Sequence, residues 1–365
     1  MQVLNINSQN PELEKIIKAA EVLKRGGIVA FPTETVYGLG ANFFDENAIK
    51  KLNGIKQRPP DKPFTAHIAD LGDLAKFGCD FSLFGEELIE KFWPGPLTLI
   101  IDTKRLGKMG FRMPNNRIAR ELIRQSSTLI AAPSANISGQ APPTNAKDVV
   151  MQFKDGVDLV LDAGETDLRQ ASTVVDLTVF PYKIVRQGAI AKERIAEAEF
   201  NFWKNKISLR IKNILFVCTG NSCRSVMGEA YLRKRLKQVE REDIRIFSRG
   251  VSASVLSRST PETIAVLKEL KIDISDHNTM ILIDKDIEEA DLILVMEKFH
   301  RDEILDKVPS AKNKIYLLAE FGLWGGKIQG EALEVNDPIG KSLRTYKDTF
   351  TIIKTSIERL IKILI

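Results

Sequence analysis

Apolar residues recur at helical spacing over residues 12–25, where Leu13, Ile16, Ile17, Ala20 and Leu23 fall on one face. Gly26-Gly27 ends that segment, and the apolar run IVAF at 28–31 predicts a buried strand. Further strands are expected at 97–101 (LTLII), 129–132, 158–161 and 173–177. From 192 to 211 the pattern turns helical and charged without Gly or Pro, and this stretch reads as a seam between two domains. A strand at 213–217 (NILFV) then restarts the chain, followed by small polar residues and a helix over 227–236. Strands at 244–248, 291–296 and 314–318 alternate with helical segments, which predicts a parallel sheet covered on both faces. Helical spacing over 343–364 predicts a final helix packed on that sheet. The pattern therefore specifies an α/β protein of two domains, 1–205 and 212–365, with no internal repeat.

Composition narrows the class. Of 365 residues, 44% are hydrophobic and 28% charged, a mix that excludes disorder, collagen and a disulfide scaffold. The net charge of +5 is too small and too evenly spread for a polybasic nucleic-acid module. No apolar run approaches the length that spans a bilayer, and the N-terminus lacks the basic-then-apolar profile of a signal peptide. The three cysteines, Cys79, Cys218 and Cys223, are an odd number for so long a chain. They point to a reducing, cytoplasmic setting in which an important cysteine is chemical and not structural.

The sharpest motif is Cys218-Thr219-Gly220-Asn221-Ser222-Cys223-Arg224-Ser225, set between a strand and a helix. Such a loop turns successive backbone N–H groups inward at a helix N-terminus and makes a phosphate cradle. Gly220 permits the tight turn and Asn221 can hold it by side-chain bonds. A thiol at the loop's start sits in that positive field, so the thiolate of Cys218 is the expected form. Arg224 presents a planar fork to two phosphate oxygens. Ser225 can donate to Cys218 and stabilise it as a leaving group. Together these parts make a nucleophile that takes a phosphoryl group as a thiophosphate. The reaction also needs a general acid, and Asp337 in the loop-like stretch EVNDPIG is the candidate. Cys223 has two readings, a small core residue or a protective disulfide partner of Cys218.

This constellation resembles the low-molecular-weight phosphotyrosine phosphatase family over about residues 212–365, with a Rossmann-like parallel sheet. The resemblance implies Cys218 as nucleophile, Arg224 as phosphate clamp and Asp337 as acid, with phosphoprotein substrates and no cofactor. Three branches share the loop. Tyrosine phosphatases usually carry a bulky aliphatic residue at the Ser222 position and aromatics after the Asp-Pro, whereas Ile339 and Gly340 follow Pro338 here. Protein-arginine phosphatases resemble this chain in the run Asp337-Pro338-Ile339-Gly340-Lys341-Ser342 with Tyr346 beyond. The chain departs from that branch in Ser222 for Thr and in Val226-Met227-Gly228 for Pro-Met-Ala. Thioredoxin-linked arsenate reductases share Ser222 but need two further cysteines, and none follows Cys223. The expected substrate is protein phosphoarginine, with a tyrosine phosphatase as the alternative. Gly340-Lys341-Ser342 imitates the end of a Walker A loop, but Val335 stands where its first glycine must be.

The first domain carries neither that loop nor a GxGxxG. It offers Pro32-Thr33-Glu34-Thr35-Val36-Tyr37-Gly38-Leu39-Gly40, Lys56-Gln57-Arg58-Pro59 and Pro133-Ser134-Ala135-Asn136, the first and last placed directly after strands. Each alone is an ordinary turn or solvated pair. Together with the His67, Arg112, Ser172 and Arg186 segments, in this order, they resemble the YrdC family of L-threonylcarbamoyladenylate synthases over about residues 1–200. The resemblance implies a twisted mixed sheet with helices, and ATP, bicarbonate and L-threonine as substrates. Threonylcarbamoyl-AMP, its product, would feed the downstream tRNA threonylcarbamoyl-transfer machinery. It further implies Thr35, His67, Arg112 and Ser172 around threonine, and Lys56, Arg58, Ser134, Asn136 and Arg186 around ATP. A polyanion handled without a P-loop calls for paired cations and Mg²⁺, with no protein ligands to the metal identified. Lys62 stands where many relatives carry Asn, and its role is open. Arg112, Arg117, Arg120 and Arg124 form a local basic cluster. It admits a weak tRNA contact, while a solvated helix face better fits the last three. An alternative of another class is an RNA-binding module without synthase activity.

Overall fold

In a computed structural model, residues 1–57, 64–79, 81–179, 182–254, 256–323 and 334–365 are described. The chain divides into two compact units, Met1–Ala198 and Glu199–Ile365.

The first unit is built on a mixed sheet of ten strands. From edge to edge these are Gln2–Asn5, Leu159–Asp162, Val29–Phe31, Gly38–Asn42, Ile130–Ala131, Thr65–His67, Gly107–Arg112, Leu97–Thr103, Thr173–Asp176 and Lys183–Arg186. The expected strand at 28–31 forms at Val29–Phe31 because the run is apolar on both faces and both faces are covered. On one side it carries Phe31 against Ile16, Leu23, Ile118 and Leu122 from helices Leu13–Lys24 and Arg117–Ser126. On the other, Leu39, Leu52, Val149 and Val160 make a second core with helices Glu46–Lys56 and Ala146–Gln152. A third core joins Leu88 of helix Leu83–Phe92 to Leu99 and Phe111. Five strands lie outside the sequence expectation, including Gly38–Asn42, Thr65–His67 and Gly107–Arg112. Those three are short or rich in glycine and polar residues and carry no long apolar run, yet each contributes a residue to the cavity described below.

The second unit has a four-stranded parallel sheet in the order Arg245–Gly250, Asn213–Cys218, Leu292–Val295, Ile315–Leu317. Helix Arg224–Gln238 begins directly after the phosphate loop. The final helix forms at Leu343–Leu364 as its apolar spacing predicted, but it packs mainly on helix Arg224–Gln238 and not on the sheet itself. The helical seam differs from expectation. The helix Lys192–Phe202 gives way to one π turn, Trp203–Ile207, and a 3₁₀ turn, Ser208–Arg210. At the change of pitch Trp203 is buried, its ring 5.2 Å from Tyr316 and 4.9 Å from Phe321 in edge-to-face contacts. Removing that ring by Trp203→Ala is expected to destabilise the second unit by about 3–5 kcal/mol, read as a lower urea midpoint. Among the described residues no helix is long and apolar enough to cross a membrane.

Candidate active sites

The phosphate loop leaves the C-terminal end of the central strand Asn213–Cys218 and closes on the helix that starts at Arg224. Placing the cradle there follows the general rule for open parallel sheets, where ligands meet the carboxyl ends of strands. Cys218 is buried, with its Sγ 3.0 Å from Ser225 Oγ and 3.3 Å from the Asn221 backbone N, which donates to it. Asn221 adopts φ +53°, a left-handed conformation that asparagine tolerates better than most residues. Its side-chain amide donates to Ser225 Oγ at 3.0 Å and Ser248 Oγ at 2.8 Å, while its Oδ1 accepts from Met280 N at 2.9 Å. Ser248 in turn donates to Glu229, and His277 Nε2 lies 2.9 Å from the Asn221 carbonyl. The backing strand passes so close that a Cβ on Gly250 would stand 2.5 Å from the Thr219 carbonyl oxygen. Gly228 likewise faces Phe216, whose ring lies 2.8 Å from where its Cβ would be. That contact gives a packing reason for glycine in the segment where the arginine-phosphatase pattern has alanine.

Arg224 is fully buried and bridges two carboxylates, one Nη to Glu297 and the other to Asp337. It also donates to the Val335 carbonyl at 2.9 Å and to Thr219 Oγ1 at 3.2 Å. Burial works against its charge, but the neighbouring Cys218, Glu297 and Asp337 outweigh that and raise its pKa. His300 closes the network. Burial, helped by Arg224, pushes its pKa down to about 3, so it is neutral; its Nδ1 accepts from Glu297 N at 3.1 Å and its Nε2 lies 3.0 Å from Thr219 Oγ1. Cys223 is a buried free thiol, 3.8 Å from Asp337 Oδ1. Burial first, then Cys218 and Asp337, push its pKa up to about 12. The structure thus brings together Cys218, Arg224, Ser225 and Asp337. It adds Glu297, His300, Ser248 and His277, which sequence reasoning missed because they come from distant segments with no motif of their own.

In the first unit a cavity of about 670 Å³ opens on the sheet. Its walls include Thr33, His67, Lys108, Arg112, Ser134, Ser172 and Arg186. His67 and Arg112 are partners across adjacent parallel strands. Both are buried, and burial together with Arg112 holds His67 well below its usual pKa, so its ring is neutral. Ser172 Oγ lies 2.9 Å from Thr98 Oγ1 and accepts from Arg186 Nη2 at 3.1 Å, while the Ser172 carbonyl takes two further bonds from that guanidinium. Five of the expected residues therefore share one cavity: His67, Arg112, Ser134, Ser172 and Arg186. Thr35 is buried, and its Oγ1 lies 2.8 Å from the lining Thr33 Oγ1. Lys56 is buried and spans to the carbonyl oxygens of Ser134 and Asn136 at 2.5 Å each, pinning the Pro-Ser-Ala-Asn turn. Within that turn, Ser134 Oγ donates to Asn136 Oδ1. Arg58 and Lys62 lie outside the described residues. The four arginines do not form one basic face. Arg112 is buried on a strand, Arg120 and Arg124 pair with Asp70, and Arg117 donates to the Gln9 carbonyl. Among the described residues, no group of three or more His, Cys, Asp or Glu is placed to hold a metal ion.

Comparison with known proteins divides the chain at the same place. The Sua5–YciO–YrdC family model, described as telomere recombination, matches residues 21–188. The low molecular weight phosphotyrosine protein phosphatase model matches residues 213–364. The chain is 42% identical over 202 residues to the threonylcarbamoyl-AMP synthase of Pyrococcus abyssi, covering 53% of this chain and 59% of that protein. It covers 55% of the corresponding Bacillus subtilis protein, so it spans little more than half the length of these curated relatives. A crystal structure of P. abyssi Sua5 complexed with L-threonine aligns at 29% identity and TM-score 0.53, over 86% of this chain and 99% of that one. The YwlE arginine phosphatase of Geobacillus stearothermophilus aligns at 32% identity and TM-score 0.36, over 41% of this chain and 90% of that one. The chain belongs to the Sua5/YrdC family through its first unit, and its second unit matches the low molecular weight phosphotyrosine protein phosphatase model.

Proposed function

We propose that the chain is a bifunctional enzyme, a threonylcarbamoyl-AMP synthase joined to a cysteine-dependent protein phosphatase. For the first unit, the observation that carries the reading is the cavity in which Arg112, neutral His67, Ser172 and Arg186 meet. Arg112 offers a fork for an amino-acid carboxylate, and Arg186 a second cation for a nucleotide phosphate. The L-threonine bound to the P. abyssi relative supports the same assignment. In the proposed reaction the threonine amine adds to bicarbonate with loss of water. The resulting carbamate oxygen then attacks the α-phosphorus of ATP, and pyrophosphate leaves. Mg²⁺ enters with ATP as the metal–nucleotide substrate. Release of pyrophosphate from ATP that requires both L-threonine and bicarbonate tests the reading. No pyrophosphate would favour the RNA-binding alternative.

For the second unit the carrying observation is Cys218 held between Ser225 Oγ and the Asn221 N–H at the mouth of Arg224. Cys218 attacks phosphorus, the bond to the leaving group breaks, and Asp337 supplies the proton that group needs. Water then hydrolyses the thiophosphate with Asp337 as base, and orthophosphate leaves. Ile339, directly beyond the Asp-Pro, is 56% exposed and aliphatic, which leaves no aromatic wall there for a tyrosyl ring. This favours phosphoarginine as substrate. Phosphate release from matched phosphoarginine and phosphotyrosine peptides decides it, and a preference for phosphotyrosine would reverse the assignment.

A further inference from the structure

Glu34 sits in the middle of the Pro-Thr-Glu-Thr segment, yet it does not line the cavity of the first unit. It stands behind that wall, 95% buried, with one carboxylate oxygen 2.8 Å from Nη2 of Arg112. Neither Glu34 oxygen receives a well-aligned hydrogen bond, and Nη2 of Arg112 donates none. The pair is therefore held by charge and confinement. On the other edge, Nε of Arg112 donates to the Gly95 carbonyl at 3.2 Å. A buried carboxylate with no bonded donor costs free energy unless something keeps it there. Among the described residues the only cation paired with it is Arg112.

We propose that Glu34 is a positioning residue for Arg112, fixing the guanidinium from behind so that its free side meets the carboxylate of the amino-acid substrate. The inference rests on the synthase reading of this cavity. Without its counter-charge, a buried guanidinium relaxes toward other acceptors, and a fork that must wait in register loses that register. With Glu34 and Gly95 fixing two of its edges, Arg112 has little orientation left to lose when substrate arrives.

The test is Glu34→Gln, which preserves shape and removes charge, assayed by pyrophosphate release. The KM for L-threonine is expected to rise by about tenfold or more, while kcat and the KM for ATP stay within about twofold. A second readout separates positioning from a general loss of structure. L-Threoninol lacks the carboxylate, so the ratio of its inhibition constant to the threonine KM reports carboxylate recognition. That ratio is expected to fall by about tenfold in the variant. Glu34→Asp, which keeps the charge but withdraws it by one methylene, is expected to move both readouts the same way by less. It serves if the glutamine variant does not fold. An unchanged threonine KM, or threonine and ATP constants that rise together with a lowered urea midpoint, overturns the proposal. If the unsubstituted protein releases no pyrophosphate, the synthase reading fails instead, so the two failures are distinguishable.

Discussion

Cys218→Ser is expected to lower phosphate release from any phosphopeptide by about 10⁴-fold or more, because the reaction loses the group that accepts the phosphoryl. A serine there has the wrong acidity: its hydroxyl is far harder to ionise than a thiol, and no histidine bonds to it. Ser225 at 3.0 Å is itself a hydroxyl and cannot act as base. The rest of the cradle does not depend on sulfur. Asn221 still has its bonds to Ser248 and Met280, and Arg224 keeps its acceptors. The variant should therefore bind orthophosphate or a phosphopeptide with affinity close to that of the unsubstituted protein. Calorimetry on the variant, set beside steady-state assays, checks both halves. Residual turnover above about one per cent would place the nucleophile elsewhere.

Asp337→Asn should produce a split result. As the proton donor, Asp337 contributes about 10²–10⁴-fold to a leaving group that needs protonation, so kcat should fall by that order. The loss should shrink for an activated aryl phosphate, whose leaving group departs without a proton. Binding should move the opposite way. In the structure Asp337 holds one Nη of Arg224, the guanidinium that the phosphate must claim. Removing that negative charge takes away a competitor, so inhibition by orthophosphate should strengthen while turnover weakens. A variant in which kcat falls and phosphate inhibition also weakens would show that Asp337 works mainly by orienting Arg224.

What could be read from the sequence depended on how local each arrangement is. The strand–loop–helix around Cys218 was legible because its cradle is made by eight consecutive residues and a helix start. The sheet of the second unit was legible because its strands are buried apolar runs between helical segments. Glu297 and His300 were not, since a glutamate and a histidine two and five positions beyond a buried strand look like any helix start. Their meaning comes from Arg224, about 75 residues earlier, which only the sheet brings beside them. The pairing of Arg120 and Arg124 was hidden for the same reason, because Asp70 reaches them from a segment some 50 residues away. The YrdC resemblance implied an ATP-side role for Lys56, and no local signal showed that its ammonium also sits on two backbone carbonyls of the Pro-Ser-Ala-Asn turn. Glu34 passed unnoticed because an acid inside a polar motif gives no sign of which cation it faces.

The packing behind the phosphate loop also sets how this catalyst can be altered. Asn221 is committed through a left-handed backbone and several side-chain bonds, and Gly250 leaves no room for a single added carbon against the loop's own carbonyl. Ile339, by contrast, exposes its side chain beside the acid, and it is its backbone N–H that bonds Asp337 Oδ1 at 3.0 Å. Variation is thus confined to the rim while the anion clamp stays rigid. A library that randomises Ser222 and Ile339 should yield folded proteins with new preferences for the group that carries the phosphoryl. One that randomises Asn221 or Gly250 should yield mostly inactive chains. The same partition lets one unchanged attack of Cys218 on phosphorus serve different phosphorylated partners, with selectivity drifting at the mouth.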